Sequence, residues 1–277
     1  MAIFGVTGRM GQSLIRALRD SSSPDPAAEA RGGSALRQPL ELSGALASGS
    51  SARLGLDAAA EGAPTGVAVT ADATRALEGA AVAIDFSAAQ RLAEHAQACV
   101  ERAVPLLVGT TGFDVATRSL LEAAAQSIPV LIAPNTSVGV GVLKELVAIA
   151  AAALGQDFDV EIIEAHHRAK RDAPSGTALA LAEAASAARG RVLAEVATYG
   201  RHGLGAPRPP DSIGFSVVRG GDIVGEHTVM FAAGGERLEL THRATDRMVF
   251  ARGALKAADW LIGRPTGLYR MRDVLGL

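Results

Sequence analysis

The chain has 277 residues, 48% of them hydrophobic and 20% charged, with a formal net charge of −2. That length holds one large or two modest domains with real cores, the composition excludes a disordered chain, and the near-neutral charge excludes a binder that works by electrostatic attraction to nucleic acid. Cys99 is the one cysteine, so there is no intrachain disulfide and no thiolate metal cluster, which fits a reducing cytoplasm.

In chain order, a β-like run at 2–4 enters a glycine turn, and helical spacing follows over 12–19. Residues 21–39 are rich in Ser, Pro, Gly and Ala without periodicity and read as an exposed, mobile loop. Strands are predicted at 40–46, 82–86, 106–108 and 130–133, with helices over 88–102 and 115–127 between them. Strands alternating with helices predict βαβ units, hence an α/β class and a parallel, Rossmann-like dinucleotide-binding domain. Residues 138–154 are interrupted by Lys144 and Glu145 and read as an amphipathic helix rather than a membrane span. With no charged-then-apolar leader, the expected location is the cytoplasm.

Past Asp159 the pattern changes. A strand at 161–166 and a helix at 178–188 are followed by three β-like runs, 212–218, 223–231 and 237–242, with no helix between them. This predicts a second, α+β domain on a mixed or antiparallel sheet. A last helix at 248–262 returns to the first domain, so the expected division is 1–134 with 248–277, and 135–247.

The turn Gly5-Val6-Thr7-Gly8-Arg9-Met10-Gly11 spaces its glycines by three between strand and helix. Glycine lets the backbone approach a pyrophosphate at a helix N-terminus, where the dipole favours negative charge. The strand–turn–helix context favours dinucleotide binding over a purely structural turn. Such a site usually has an acid after the second strand, on the ribose hydroxyls. Here Ala47 and Ser48 stand in its place, and Ser48, Ser50 or Arg53 would meet a 2′-phosphate. NADPH is therefore the expected cofactor, with NADH left open. Two further strand-end loops, Gly109-Thr110-Thr111-Gly112 and the segment from Ala133 to Gly139, lie where a nicotinamide would lie.

The densest polar passage is EIIEAHHRAKRDAPSGTALA, residues 161–180. His166 and Lys170, four apart, are natural proton donors because environment moves either one's pKa towards neutrality. Ser175 or Thr177 caps the following helix, whose first-turn N–H groups then hold a carboxylate. Proton donors, cations and a carboxylate cradle together suit a small dicarboxylate. The alternative is a solvated basic loop before a routine cap. His95 is expected on a helix surface, and His227 and His242 as hydrogen-bonded strand residues. His202 lies in a loop that either covers the pocket or carries no chemistry. No metal-ligand spacing is present, since His166 and His167 are adjacent and point different ways on a strand.

The passage EIIEAHHRAKRDAPSGTAL closely resembles the signature of the dihydrodipicolinate reductases, enzymes of bacterial lysine and diaminopimelate synthesis. GVTGRMG, IDFS, VGTTGF, APNTSVGV, GDIVGEHTVMF and GLYRMRDVLGL are similar to that family's segments in the family's order, so the resemblance spans nearly the whole chain. It implies NAD(P)H-dependent reduction of the cyclic imine derived from 4-hydroxy-tetrahydrodipicolinate, with loss of water, to tetrahydrodipicolinate. It implies His166 as proton donor and Lys170 as second acid or charge stabiliser. By the same resemblance His167, Lys170, Gly176 and Thr177 hold the carboxylates, beside Ser175. Gly5, Val6, Thr7, Gly8, Arg9 and Met10, then Gly109, Thr110 and Thr111, and Ala133, Pro134, Asn135 and Thr136, hold the cofactor. The resemblance further implies a homotetramer built through the second domain's sheet, without metal, membrane or nucleic acid. The family's acid-plus-arginine pair is missing at Ala47 and Ser48, and 21–39 looks like an insertion. Among rivals, a semialdehyde dehydrogenase needs a thiol or carboxylate arrangement that HHRAK does not supply. An NADP-binding redox sensor would leave the proton donors and cradle without a purpose.

Overall fold

A computed structural model describes residues 1–22, 36, 37 and 39–277. The expected loop at 21–39 therefore falls mostly outside the described residues; its first two, Ser21 and Ser22, end a helix. The chain forms two units, Met1–Val138 with Met248–Leu277, and Gly139–Arg247.

The first unit opens with β1 (Ala2–Phe4), α1 (Arg9–Ser22), β2 (Gly44–Leu46), β3 (Val69–Thr70), α2 (Ala73–Ala76) and β4 (Ala83–Asp85). It continues through a 3₁₀ turn (Ala89–Arg91) into α3 (Leu92–Glu101), then β5 (Leu106–Val108), α4 (Val115–Ala124) and β6 (Pro129–Ile132). Strands such as Leu106-Leu107-Val108 are apolar without alternation and buried throughout, as parallel strands covered on both faces must be. The strand expected at 40–46 shrinks to Gly44–Leu46 because its partner β1 offers only three residues, Ala2 facing Gly44 and Phe4 facing Leu46.

The second unit takes all but the first residue of α5 (Val138–Leu154), then β7 (Asp159–His166), α6 (Gly176–Ala188) and α7 (Leu193–Val196). It ends with β8 (Ala197–Thr198), β9 (Ile213–Arg219), β10 (Gly225–Ala233) and β11 (Glu236–Ala244). The sheet order is β11-β10-β7-β9-β8. It is mixed: β10 runs antiparallel to β11 and β7, while β9 runs parallel to β7 and β8. Along β7 the side chains alternate, with Val160, Ile162, Glu164 and His166 buried and Ile163 exposed between them. Val160, Ile162, Phe215, Val229 and Phe231 pack against Leu143 and Val147 of α5 and Leu181 and Ala185 of α6.

The chain then completes the first unit with α8 (Met248–Leu261), β12 (Gly267–Tyr269) and α9 (Met271–Leu275). The finished parallel sheet has the order β12-β6-β5-β4-β1-β2-β3. Ile3 of β1 faces a core shared with Leu14 and Ile15 of α1 and Ala254 of α8, whereas Ala2 and Phe4 face Leu92 and Cys99 of α3. Among the described residues no helix is long and apolar enough to cross a membrane.

Candidate active site

In the second unit, alternation along β7 delivers Glu164 and His166 to the buried face at the strand's end. His166 Nδ1 lies 2.7 Å from Glu164 Oε2. Arg219, at the end of the neighbouring β9, grips both Glu164 oxygens, Nη1 to Oε2 at 2.7 Å and Nη2 to Oε1 at 2.8 Å. Because Glu164 occupies Nδ1, the imidazole turns Nε2 towards Gly225, where a Cβ would stand only 3.1 Å away. His227 of β10 meets His166 edge-on, with ring centroids 5.1 Å apart.

The turn after β7 carries the rest. Lys170 Nζ pairs with Asp172 Oδ2 at 2.9 Å, and the Lys170 amide donates to the His167 carbonyl. Ser175 is the N-cap of α6, its Oγ accepting from Ala178 N at 3.1 Å. The same hydroxyl lies 2.8 Å from His227 Nε2, and the Ser175 amide donates to Glu164 Oε1 at 2.9 Å. The Ser175 carbonyl accepts from Leu179 N at 3.0 Å, so Ser175 is engaged on every polar atom, which makes it the floor of the helix start. Gly176 and Thr177, the first two residues of α6, follow directly.

Burial lowers the proton affinity of His166, and the Glu164 hydrogen bond and charge restore part of it, while Lys170 and Arg219 oppose. Burial works to raise the Glu164 pKa, but hydrogen bonds from Arg219, His166 and Ser175 outweigh it and hold the carboxyl below its usual range. Burial above all, with the His166 charge behind it, pushes His227 down to about 4, so its ring is neutral at physiological pH.

Glu164, Arg219 and Gly225 were not singled out in the sequence, whereas His227 was expected as a hydrogen-bonded strand residue and is one, on β10 with Nε2 on Ser175 Oγ. A signal for Glu164 was there: it sits two before His166 on a strand, and so on the same face. The loop holding His202 is anchored by Arg201 and Arg208 to Glu161, and by Arg208 to Asp159, in the first half of β7 and away from His166.

In the first unit, the glycine turn joins β1 to α1. Gly5 has φ +77°, and a Cβ there would stand 2.6 Å from the Phe86 carbonyl oxygen; one at Gly11 would stand 2.4 Å from that of Val6. At Gly8 only the Gly5 carbonyl oxygen lies near, at 3.2 Å. Gly5 and Val6 donate their amides to Leu46 O, and Gly8 donates to Gly5 O. Thr7 and Met10 are half-buried, and Arg9 is exposed.

Beyond β2, Ser48 is exposed and its hydroxyl lies 3.0 Å from that of Ser50. Arg53 instead turns Nη2 to the Asp57 and Ala59 carbonyls at 2.7 and 2.8 Å. After β4 and β5, Thr110 is buried, with its hydroxyl on Asp85 Oδ1 at 2.9 Å and its amide on the Asp85 carbonyl at 3.1 Å, while Thr111 is exposed. After β6, the Ala133 amide donates to Val108 O and Thr136 Oγ1 to Phe250 O. Pro134 is exposed, and Asn135 Oδ1 accepts from Ser137 N at 2.9 Å.

His95 corrects the expectation of a surface residue. It is 4% exposed, with Nδ1 2.7 Å from Asp85 Oδ2. Leu92, His95, Ala96 and Cys99 share the buried stripe of α3, and Asp85 waits at the end of β4 beneath it. Among the described residues no cluster of three or more His, Cys, Asp or Glu side chains has metal-binding geometry.

Family models described as Dihydrodipicolinate reductase, N-terminus and Dihydrodipicolinate reductase, C-terminus match residues 1–136 and 139–275. A 4-hydroxy-tetrahydrodipicolinate reductase of Thiobacillus denitrificans is 50% identical over 278 residues, covering 100% of this chain and 98% of its own. One of Neisseria meningitidis is 46% identical over 278 residues, covering 100% and 97%. The solved dipicolinate-bound dihydrodipicolinate reductase from Paenisporosarcina sp. TG-14 shares the fold, with a TM-score of 0.71 at 24% identity over 97% of this chain and 96% of that one. The matches run through both units and through every motif described above, and the chain belongs to the dihydrodipicolinate reductase family.

Proposed function

We propose that the chain catalyses NAD(P)H-dependent reduction of the cyclic imine dicarboxylate formed from 4-hydroxy-tetrahydrodipicolinate, giving tetrahydrodipicolinate for lysine and diaminopimelate synthesis. As a member of its family the chain is an oxidoreductase with a nicotinamide dinucleotide as cofactor. The observation that carries the reading is the Glu164–His166 pair at 2.7 Å, set on the same strand end that leads through Lys170 to the capped start of α6.

The first unit is the cofactor domain in this reading. Gly8 leaves the space a phosphate needs, and the first-turn amides at Arg9 and Met10 meet it, since those of Gly5, Val6 and Gly8 are already given to carbonyls. Gly109, Thr111, Ala133, Pro134 and Asn135 line the nicotinamide end, with Thr110 and Thr136 holding those loops in shape. NADPH is the preferred form. No acid follows β2 to repel a 2′-phosphate, and Ser48 with Ser50 offers it hydroxyls; Arg53, committed to two carbonyls, leaves that role to the serines.

The second unit is the substrate domain. The bound nicotinamide supplies hydride to the ring's conjugated C=C–C=N system. His166 Nε2 gives the proton to the ring carbon that then carries negative charge, and Nδ1 stays on Glu164. Lys170, held by Asp172, steadies that charge as second acid. One substrate carboxylate sits on the Gly176 and Thr177 amides over Ser175, with His167 and Lys170 at the anionic groups. The enzyme works in the cytoplasm as a homotetramer, assembled through the face of the mixed sheet that α5 and α6 leave bare, where Ile163 is 38% exposed.

A coupled assay tests this, with the imine dicarboxylate made in place from pyruvate and aspartate semialdehyde by a synthase. The expected result is NADPH oxidation that requires the synthase, faster than NADH oxidation. Folded protein that binds NADPH and oxidises neither cofactor would overturn the reading.

A further inference from the structure

Glu164 takes no part in the proton transfer above, yet it is 1% exposed and its carboxylate is fully subscribed. Oε2 faces His166 Nδ1 and Arg219 Nη1, both at 2.7 Å. Oε1 accepts from Ser175 N at 2.9 Å and Arg219 Nη2 at 2.8 Å. Four donors on one buried carboxylate keep it ionised and leave it no rotational freedom. Arg219 Nη2 also donates to the Asp172 carbonyl at 2.6 Å, and the side chain of Asp172 holds Lys170. One anion and its arginine therefore reach the proton donor, the cap of the carboxylate cradle and the turn that carries Lys170.

We propose that Glu164 is the positioning residue of this site, fixing the His166 ring and the start of α6 to each other, with Arg219 as its balancing cation. The proposal rests on His166 being the proton donor. Holding Nδ1 fixes the ring plane, which decides where Nε2 points; holding the Ser175 amide fixes where the cradle begins. The electrostatics follow from the same contacts. His166 is faced by Glu164 on its own strand, Lys170 in the next turn, Arg219 on β9 and His227 on β10, with His242 of β11 beside His227. His227 is neutral in the working range, so the anion of Glu164 stands against the cations of Lys170 and Arg219.

Two substitutions then act with opposite sign. Glu164→Gln keeps the shape and removes the anion, so His166 faces two cations and holds its proton less tightly. Arg219→Gln removes the opposing cation and leaves the anion, so His166 holds its proton more tightly. The full-length protein is titrated by NMR on the His166 ring protons, and turnover is profiled against pH. Glu164→Gln is expected to move the His166 titration and the turnover profile to lower pH and to slow turnover about 10²-fold. Arg219→Gln moves both to higher pH, and Arg219→Lys, which keeps the charge but gives up the two-pronged grip, leaves the His166 titration close to wild type. A general loss of packing would move both variants alike or neither.

His166 titrations unmoved in Glu164→Gln, or displaced in the same direction in both variants, would overturn the proposal. Should Arg219→Gln fail to fold, the downward displacement in Glu164→Gln decides alone; should that variant also unfold, Arg219→Lys decides: a His166 titration close to wild type upholds the proposal, and one displaced with the charge retained overturns it. Failure of the functional reading looks different: the wild-type chain would not reduce the dicarboxylate, while the NMR displacements would still report on Glu164.

Discussion

At Gly225 the absence of a side chain has a chemical meaning. A methyl group there would stand 3.1 Å from His166 Nε2, the nitrogen assigned to the proton, and 3.4 Å from Cδ2. Gly225→Ala is expected to cut turnover about tenfold through displacement of the ring, a barrier increase of about 1.4 kcal/mol. The melting temperature and NADPH affinity should hardly change. Steady-state kinetics beside a thermal melt checks this, and wild-type turnover would remove Nε2 from the chemistry. A second residue, His95, carries a stability prediction. Its partner Asp85 is fully buried, so His95→Leu leaves Asp85 Oδ2 without the nitrogen it faces, at a cost of about 1–3 kcal/mol measured by urea unfolding. Both residues mark a limit of reading the sequence. The 92, 95, 96, 99 spacing already put His95 on the apolar stripe of α3, but no local pattern links a helix residue to an acid at the end of an earlier strand. The same holds for Arg219, which meets Glu164 only because β9 lies beside β7. His166, Lys170 and Ser175 could be proposed from the sequence alone because their chemistry is gathered in one short stretch of chain.

Elements were legible where they carry a period. The parallel strands announced themselves as short apolar runs between helical patterns, and the second unit as strands without helices between them. Three strands were missed: β3 and β8 have two residues each and β12 three, and all exist only through pairing at the sheet edges, with β2, β9 and β6. The turn between β1 and α1 gives a prediction at this scale, because its glycines serve different ends. At Gly11 a Cβ would run into the Val6 carbonyl at 2.4 Å, so Gly11→Ala must push α1 off the end of β1. At Gly8 the nearest atom is the Gly5 oxygen at 3.2 Å, an approach that a small shift relieves. Gly11→Ala is therefore expected to lower both the melting temperature and NADPH affinity. Gly8→Ala should leave the melting temperature within a few degrees of wild type and weaken NADPH binding at least tenfold, since the methyl occupies the space a phosphate would take. Fluorescence titration with NADPH beside a melt separates the two cases. Equal affinity in Gly8→Ala and wild type would move the phosphate elsewhere.

At the scale of the whole molecule, acid stability follows from the histidines gathered at one end of the second unit's sheet. His166, His227 and His242 all have their proton affinity lowered, in each case by burial first. A histidine whose folded pKa lies below its unfolded value near 6.5 favours the folded chain above that value. As pH falls from about 6.5, the unfolded chain takes up protons that the folded chain refuses, and stability declines until the folded pKa is reached. For His227 that window runs from about 6.5 down to about 4, a loss of roughly 3 kcal/mol when complete. Glu164 acts lower down. Its folded pKa is depressed, so its contribution is whole above the unfolded value near 4.3 and is lost as pH falls through the folded one. The curve should therefore fall in two stages, histidines first and the carboxylate after them. His227→Gln, which cannot titrate, separates the stages. It is expected to be less stable than wild type at pH 7, where it gives up the bond to Ser175, but to lose less on acidification to pH 4. Urea unfolding at half-unit steps between pH 7 and pH 4 measures both slopes. Equal slopes in variant and wild type would mean that His227 is protonated alike in the folded and unfolded chain.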